Sequence, residues 1–341
     1  MIVERGLKAI LGATERVLII HHWDTDGICS ASILCEVLEG RSVDLRTPTI
    51  GNYFLTQEDL NGIGRAKHDT TIVVDLSLSG RDFSLLREWT GGRVIHIDHH
   101  LQRESVSSVF QMNPIAEGGR TEEFPSTSWI LTRSLHRDLD LLTVLGAVGD
   151  HEQKVKTFDV FRDIENFMKR ERLSFENLLK MVELIDSSYV TGDAAGVERS
   201  VLKLLRYKDN PLATLEDGEW RRKAKKVNDE IERQLLTEDR RTGRIVMKEI
   251  HSRYDIISSI ARRVAWEEEG RIAIVVNRGF FDDRDQIYVR SNEGGVDLSP
   301  IITDARSRGY PAGGRDQVVG IVSSKAGTDR FLRFALEYLS S

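Results

Sequence analysis

The sequence predicts an α/β protein in three parts: a parallel-sheet N-terminal domain over 1–155, a helical connector over 156–238, and a smaller mixed α/β domain over 239–341. Three observations carry this. In the first 150 residues, short β-branched apolar runs alternate with helical stretches, the pattern of a doubly wound sheet. From about 156 to 238 the apolar spacing is helical and the charge density high. From about 243 onward strand-like runs return, and a length well beyond about 150 residues allows a second core.

Taken in order, "RVLII" (16–20) is the first buried strand, followed by the polar turn "HHWDTDG" and a helix. In that helix Ile28, Ala31, Leu34, Cys35 and Leu38 recur at helical spacing, and Gly40 stops it. "TIVVDLS" (71–77) is the second strand and ends on Asp75. "RVIHIDHH" (93–100) is the third. Its alternation puts Val94, His96 and Asp98 on one side and Ile95 and Ile97 on the other, and it stops near Asp98. Asp98, His99 and His100 therefore lie at the carboxyl end of a strand, the edge where open α/β sheets bind ligands.

"STSWILTRSLHRDLDLLTVLGAVGDHEQK" continues as helix and delivers Asp150 after a glycine-bracketed apolar segment. "EWRRKAKKVNDEIERQLL" typifies the connector, with a solvated outer face. "GRIVMKEI", "RIAIVVNRG" and "QIYVRSN" read as strands of the last domain. A Gly-rich loop, "GYPAGGRDQVVGIV", and a closing helix, "GTDRFLRFALEYL", follow.

Composition narrows the class. The 40% hydrophobic and 30% charged content suits a packed, soluble protein, and no run approaches the roughly 18 apolar residues of a membrane span. The opening "MIVERGLKAILGATERVLII" interrupts its apolar residues with Glu, Arg and Lys, so no signal peptide is expected. Cys29 and Cys35 read as helix-packing residues of a reducing compartment, which predicts a cytoplasmic protein. A net charge of −6 excludes a protein basic all over, but leaves nucleic-acid binding confined to one groove.

Six of the nine histidines (21, 22, 96, 99, 100 and 151) stand at or beside the acid-bearing strand ends. Carboxylates and imidazoles without thiolates suit a hard-to-borderline divalent ion such as Mn²⁺ better than structural zinc. Two ions about 3.5–4 Å apart activate water and clamp a phosphoryl oxygen, and one aspartate can bridge them. Gly27 opens a helix whose free amides favour an anion.

"HWDTDG", "VVD", "DHH" and "GAVGD" occur in this order, each after an apolar run, and the series resembles the DHH phosphoesterase superfamily. The last domain, with "AGGRDQVVG", resembles the family's DHH-associated domain. The resemblance implies a metal shell of His22, Asp24, Asp26, Asp75, His99 and Asp150, with His22 and Asp24 leaning to one ion, His99 and Asp150 to the other, and Asp75 between. It places Asp98 behind a ligand histidine, His100 at the scissile phosphate, and Arg290, Ser291, Gly313, Gly314 and Arg315 at the substrate's phosphates. Arg315 stands where the family usually has histidine. His21 and His151 have no family role and read as supporting or surface polar groups; His96 reads as packed under the site.

The form "HxDxDG" is similar to the RecJ-like, archaeal branch, which implies a nuclease hydrolysing single-stranded DNA or RNA with two Mn²⁺ ions, Mg²⁺ or Co²⁺ being alternatives. Partners implied are the single strand itself and replication or repair proteins (GINS-like or helicase partners), with no membrane. Phosphodiesterases of short oligoribonucleotides or cyclic dinucleotides are the enzymatic alternatives. A replication-complex scaffold that has lost catalysis is the non-enzymatic one, and it should show broken metal motifs.

Overall fold

The computed structural model describes residues 11–52, 54–63, 68–100, 109–292, 296–307, 312–315 and 317–340. The chain divides into two compact units, 1–189 with 193–223 and 190–192 with 224–341.

The first unit is built on five strands: β1 (Arg16–His21), β2 (Ser42–Arg46), β3 (Thr70–Val74), β4 (Arg93–Ile97) and β5 (Phe110–Met112). Their order is β2-β1-β3-β4-β5 and every pairing is parallel. The three central strands are buried almost throughout, which is why they read as unbroken apolar runs. On one side Leu18, Ile20, Val73 and Val94 pack with Leu60 of α2 (Gln57–Ile63) and Phe83 and Leu86 of α3 (Gly80–Thr90). Helix α1 (Thr25–Val37) packs with α4 (Thr127–Ser134) and α5 (Leu141–His151).

The ladder continues one residue past each central strand. The amide of His22 donates to Val74, that of Asp75 to Ile97, and that of Asp98 to Met112. Backbone hydrogen bonds thus fix in register the three places where the chain leaves the sheet.

After a 3₁₀ turn (Glu152–Thr157) come α6 (Phe161–Glu171), α7 (Phe175–Val190), α8 (Ala194–Tyr207), α9 (Leu212–Glu216) and α10 (Gly218–Leu235). The contacts do not draw the expected 156–238 connector as a separate part: its helices up to Lys223 belong to the first unit. Under the charged outer surface, α8 buries Val197, Val201 and Leu204, and Ser32 of α1 donates to the Val201 carbonyl.

The second unit is a six-stranded sheet of β6 (Asp239–Thr242), β7 (Ile245–Ile250), β8 (Ile272–Asn277), β9 (Arg284–Ser291), β10 (Ala312–Arg315) and β11 (Val318–Ser324), in the order β10-β11-β9-β8-β7-β6. Only β7 and β8 run parallel. Helix α11 (Ile257–Trp266) packs with Ala273 and Val275, whereas α12 (Ser299–Ser307) and α13 (Lys325–Ser340) share a core with Ile274, Val289 and Ile321. The segment expected to be a Gly-rich loop is the β10–β11 antiparallel pair. Gly314 makes it possible: at φ +145, an added Cβ would lie 1.9 Å from the Val318 carbonyl oxygen. Among the described residues no helix is long and apolar enough to cross a membrane.

Candidate metal centre

In a 2-1-3-4-5 sheet the strand order reverses between β1 and β3, and ligands bind outside the carboxyl ends there. Three loops and one helix deliver side chains to that place. The turn after β1 carries His22, Asp24 and Asp26. Asp24 is the N-cap of α1, accepting the Gly27 amide at 3.1 Å. Gly27 must be glycine, since a Cβ would lie 2.4 Å from the His22 carbonyl oxygen.

Asp75 follows β3 with φ +57, a left-handed conformation unusual for a residue with a side chain. Such strain persists where surroundings over-determine it, commonly at functional sites. Here the Asp75 amide is held by Ile97 and its Oδ1 accepts from the Thr127 hydroxyl at 3.1 Å.

His99 and His100 follow β4. His99 Nε2 lies 3.4 Å from Asp75 Oδ1 and 3.0 Å from Asp150 Oδ2. His22 Nδ1 lies 2.7 Å from Asp24 Oδ2 and 3.8 Å from Asp75 Oδ2. His100 is the exposed member, with Nδ1 2.7 Å from Asp98 Oδ1 and 3.9 Å from Asp75 Oδ1. Asp98 is wholly buried; its Oδ1 also accepts the amides of His99 and His100. It therefore fixes the turn of both histidines but bonds the ring of His100 rather than that of His99. Burial pushes the Asp98 carboxyl up, but His100 and the other imidazoles outweigh it and bring it down to about 2.

Asp150 arrives on α5, and two glycines let that helix approach. A Cβ on Gly146 would lie 2.1 Å from Ser128 Oγ and 2.2 Å from Asp26 Oδ1; one on Gly149 would lie 3.1 Å from Thr25. Asp26 itself accepts the amides of Thr127 and Ser128 at 2.7 and 3.1 Å, holding the first turn of α4. Burial, reinforced by Asp150, pushes the Asp26 carboxyl up to about 6. Burial with the charges of Asp26 and Asp24 drives Asp75 well above the carboxylate range.

The six residues expected as a metal shell are thus brought together. They form overlapping groups, His22–Asp24–Asp75, Asp75–His99–His100 and Asp26–His99–Asp150, with the donor atoms of each within 4.8 Å of one another. His99 Nε2, Asp75 Oδ2 and Asp150 Oδ2 are shut off from solvent and make no properly directed hydrogen bond. Buried donors and acceptors normally have partners. Carboxylate oxygens and imidazole nitrogens converging in this way fit hard or borderline divalent cations.

His21, His96 and His151, the other three histidines beside these strand ends, are buried supports, not surface groups. His96 Nε2 bonds the Leu76 carbonyl at 3.1 Å, His21 Nδ1 the His22 carbonyl and His151 Nε2 the Pro125 carbonyl, each at 2.7 Å. Sequence reasoning passed over Asp186 of α7, which accepts the Thr25 hydroxyl at 2.7 Å. Burial, then the nearby charge of Asp24, pushes it up to about 8. Its only sequence signal is a lone acid in a half-apolar helix.

The second-domain residues lie in the second unit. Arg290 is on β9 with Cζ 5.7 Å from the Trp266 ring centre. Ser291 is buried and its hydroxyl donates to the Val296 carbonyl at 2.9 Å, so that group is taken within the chain. Gly313 and Gly314 are exposed in β10. Arg315 is in register with Val318, but its side chain lies outside the described residues.

Residues 16–154 match the DHH family, N-terminal domain. The first unit carries a DHH domain. Solved structures extend the likeness over 99% of the chain, to the RecJ fold. Exonuclease RecJ bound to manganese is 17% identical, with 94% of that chain covered and a TM-score of 0.65. RecJ from Thermus thermophilus in complex with Mn²⁺ is 17% identical with a TM-score of 0.69, and this chain spans 55% of it. A DHH domain described as a member of the s1p family of ribosomal proteins is 17% identical, 89% covered, with a TM-score of 0.68. No curated protein sequence matches the chain. The chain as a whole has a RecJ-like fold, and its DHH-family match is confined to residues 16–154.

Proposed function

We propose that this DHH protein is a metal-dependent phosphodiesterase acting as an exonuclease on single-stranded DNA or RNA, with two divalent ions, Mn²⁺ by preference. The observation that carries the reading is the convergence of four buried or half-buried carboxylates and two imidazoles from three loops and one helix at one sheet edge. His22 and Asp24 would hold one ion and His99, Asp150 and Asp26 the other, with Asp75 available to both. Bound there, the ions supply Lewis acidity towards a phosphodiester and an activated water.

The chain's own groups do the rest. His100, exposed and tied through Nδ1 to Asp98, presents Nε2 to the substrate's phosphate. Asp98 is a positioning residue, holding that ring and both histidine amides. Thr127 orients the Asp75 carboxylate. Arg290 and the backbone of Gly313 and Gly314, with Arg315, bind phosphates along the strand.

Digestion of end-labelled single-stranded DNA and RNA with Mn²⁺ tests the proposal. Progressive shortening from an end, abolished by chelator and slow on blunt duplex, is expected. Labelled strands left intact by the Mn²⁺-loaded protein would overturn it.

A further inference from the structure

Trp266 ends α11 with 57% of its surface exposed, the largest aromatic group so displayed among the described residues. Two guanidiniums attend the ring: Arg262, one turn back on the helix, with Cζ 5.8 Å from the ring centre, and Arg290 on β9 at 5.7 Å. A helix and a strand thus deliver cations independently to one aromatic face system, within cation–π range.

The sheet beside this cluster is paved with glycine. Tyr288, Gly320 and Gly313 stand in register across β9, β11 and β10, and Arg290, Val318 and Arg315 form the next row. A Cβ on Gly313 would meet nothing within 4 Å, and one on Gly320 would meet chiefly the Tyr288 ring at 3.8 Å. The other side of these strands is closed by α12 and α13. A low polar shelf therefore runs up to an exposed indole flanked by arginines.

Stacking on an aromatic ring with backbone-tracking cations is how single strands are held without reading their sequence. An exposed tryptophan can also anchor a protein partner. Beside the ring these two rows offer glycine backbone, the Tyr288 ring and Arg290, with Val318 their one aliphatic side chain, and two guanidiniums at the indole favour a phosphate-bearing ligand. We propose that Trp266, with Arg262 and Arg290, is a base-stacking platform for single-stranded nucleic acid, the ring taking a base and the guanidiniums its flanking phosphates. This rests on the reading of the protein as a single-strand nuclease.

The test measures binding in chelator, by anisotropy, of a labelled oligothymidylate and of an abasic strand of equal length. The wild type should prefer the strand with bases. Trp266→Ala should lose about 5- to 150-fold in affinity for it, making the two ligands equivalent, and Trp266→Phe should keep part of the preference. A Trp266→Ala variant with the full wild-type preference overturns the platform, as expected if the surface serves a protein. Equal wild-type affinity for both strands does the same while leaving the nuclease reading intact. Wild-type protein that binds neither strand removes that reading and the platform with it.

Discussion

His99 is buried with Nε2 against Asp75 and Asp150, whereas His100 keeps 44% of its side chain exposed and bonds Asp98. Alanine should therefore act differently at the two positions. His99→Ala should lower bound metal. His100→Ala should keep the metal and slow cleavage by about 10²- to 10³-fold, the usual worth of a donor aimed at charge developing in the transition state. Metal analysis beside steady-state rates checks this, and equal metal loss in both would refute the division of roles. Asp75 presents the opposite case, a residue held against its own stability. Its φ of +57 is tolerable for asparagine, and its carboxyl is raised by burial and by Asp26 and Asp24. Asp75→Asn should melt above the wild type when both are metal-free. Wild type gains about 2.7 kcal/mol from an ion at a hundred times its dissociation constant, and the variant should gain close to none. Melting curves with and without Mn²⁺ decide the point.

At the scale of elements, α5 touches the turn after β1 through a single missing methyl group. Gly146→Ala puts a carbon where Ser128 Oγ and Asp26 Oδ1 already sit, both held by hydrogen bonds. The helix must shift, at a cost of roughly 1–3 kcal/mol, and Asp150 shifts with it. Lower thermal stability together with weaker metal binding is expected; a variant that is destabilised yet binds metal normally would separate α5 from the centre. How much of this was legible varies by element. β1, β3 and β4 show in the sequence because both faces are buried, and each expected metal ligand except Asp150, which lies in α5, shows because it follows such a run. The edge strand Ser42–Arg46 does not, since its half-exposed residues allow polar side chains throughout. The helices before Lys223 hide their apolar faces among charges, and Gly313 and Gly314 disguise β10, whose pairing is decided by β11. Asp26 reads as a ligand, but its grip on Thr127 and Ser128, like Asp186 behind Thr25, rests on long-range contacts that no local pattern records.

On the scale of the whole molecule, each unit has its own core, and every expected metal ligand belongs to the first. Metal should accordingly protect one part of the chain. Hydrogen exchange with and without chelator should show faster exchange at the turns after β1, β3 and β4 and at the starts of α1 and α4 once metal is removed. The amides of β8 and β9 should be unchanged. Uniform acceleration across both units would mean that they open together.

The thread joining Asp26 to Thr127 spans 101 residues of chain, and its consequence lies in time. Contacts so far apart in sequence form only after the intervening strands have paired, since their closure entropy must be met first. The centre is therefore among the last features to assemble, and a chain still being synthesised holds His22 and Asp24 long before Asp150 exists. An ion bound as proposed would arrive at a structure already formed and act as a latch, holding back unfolding and leaving the speed of folding to the sheet.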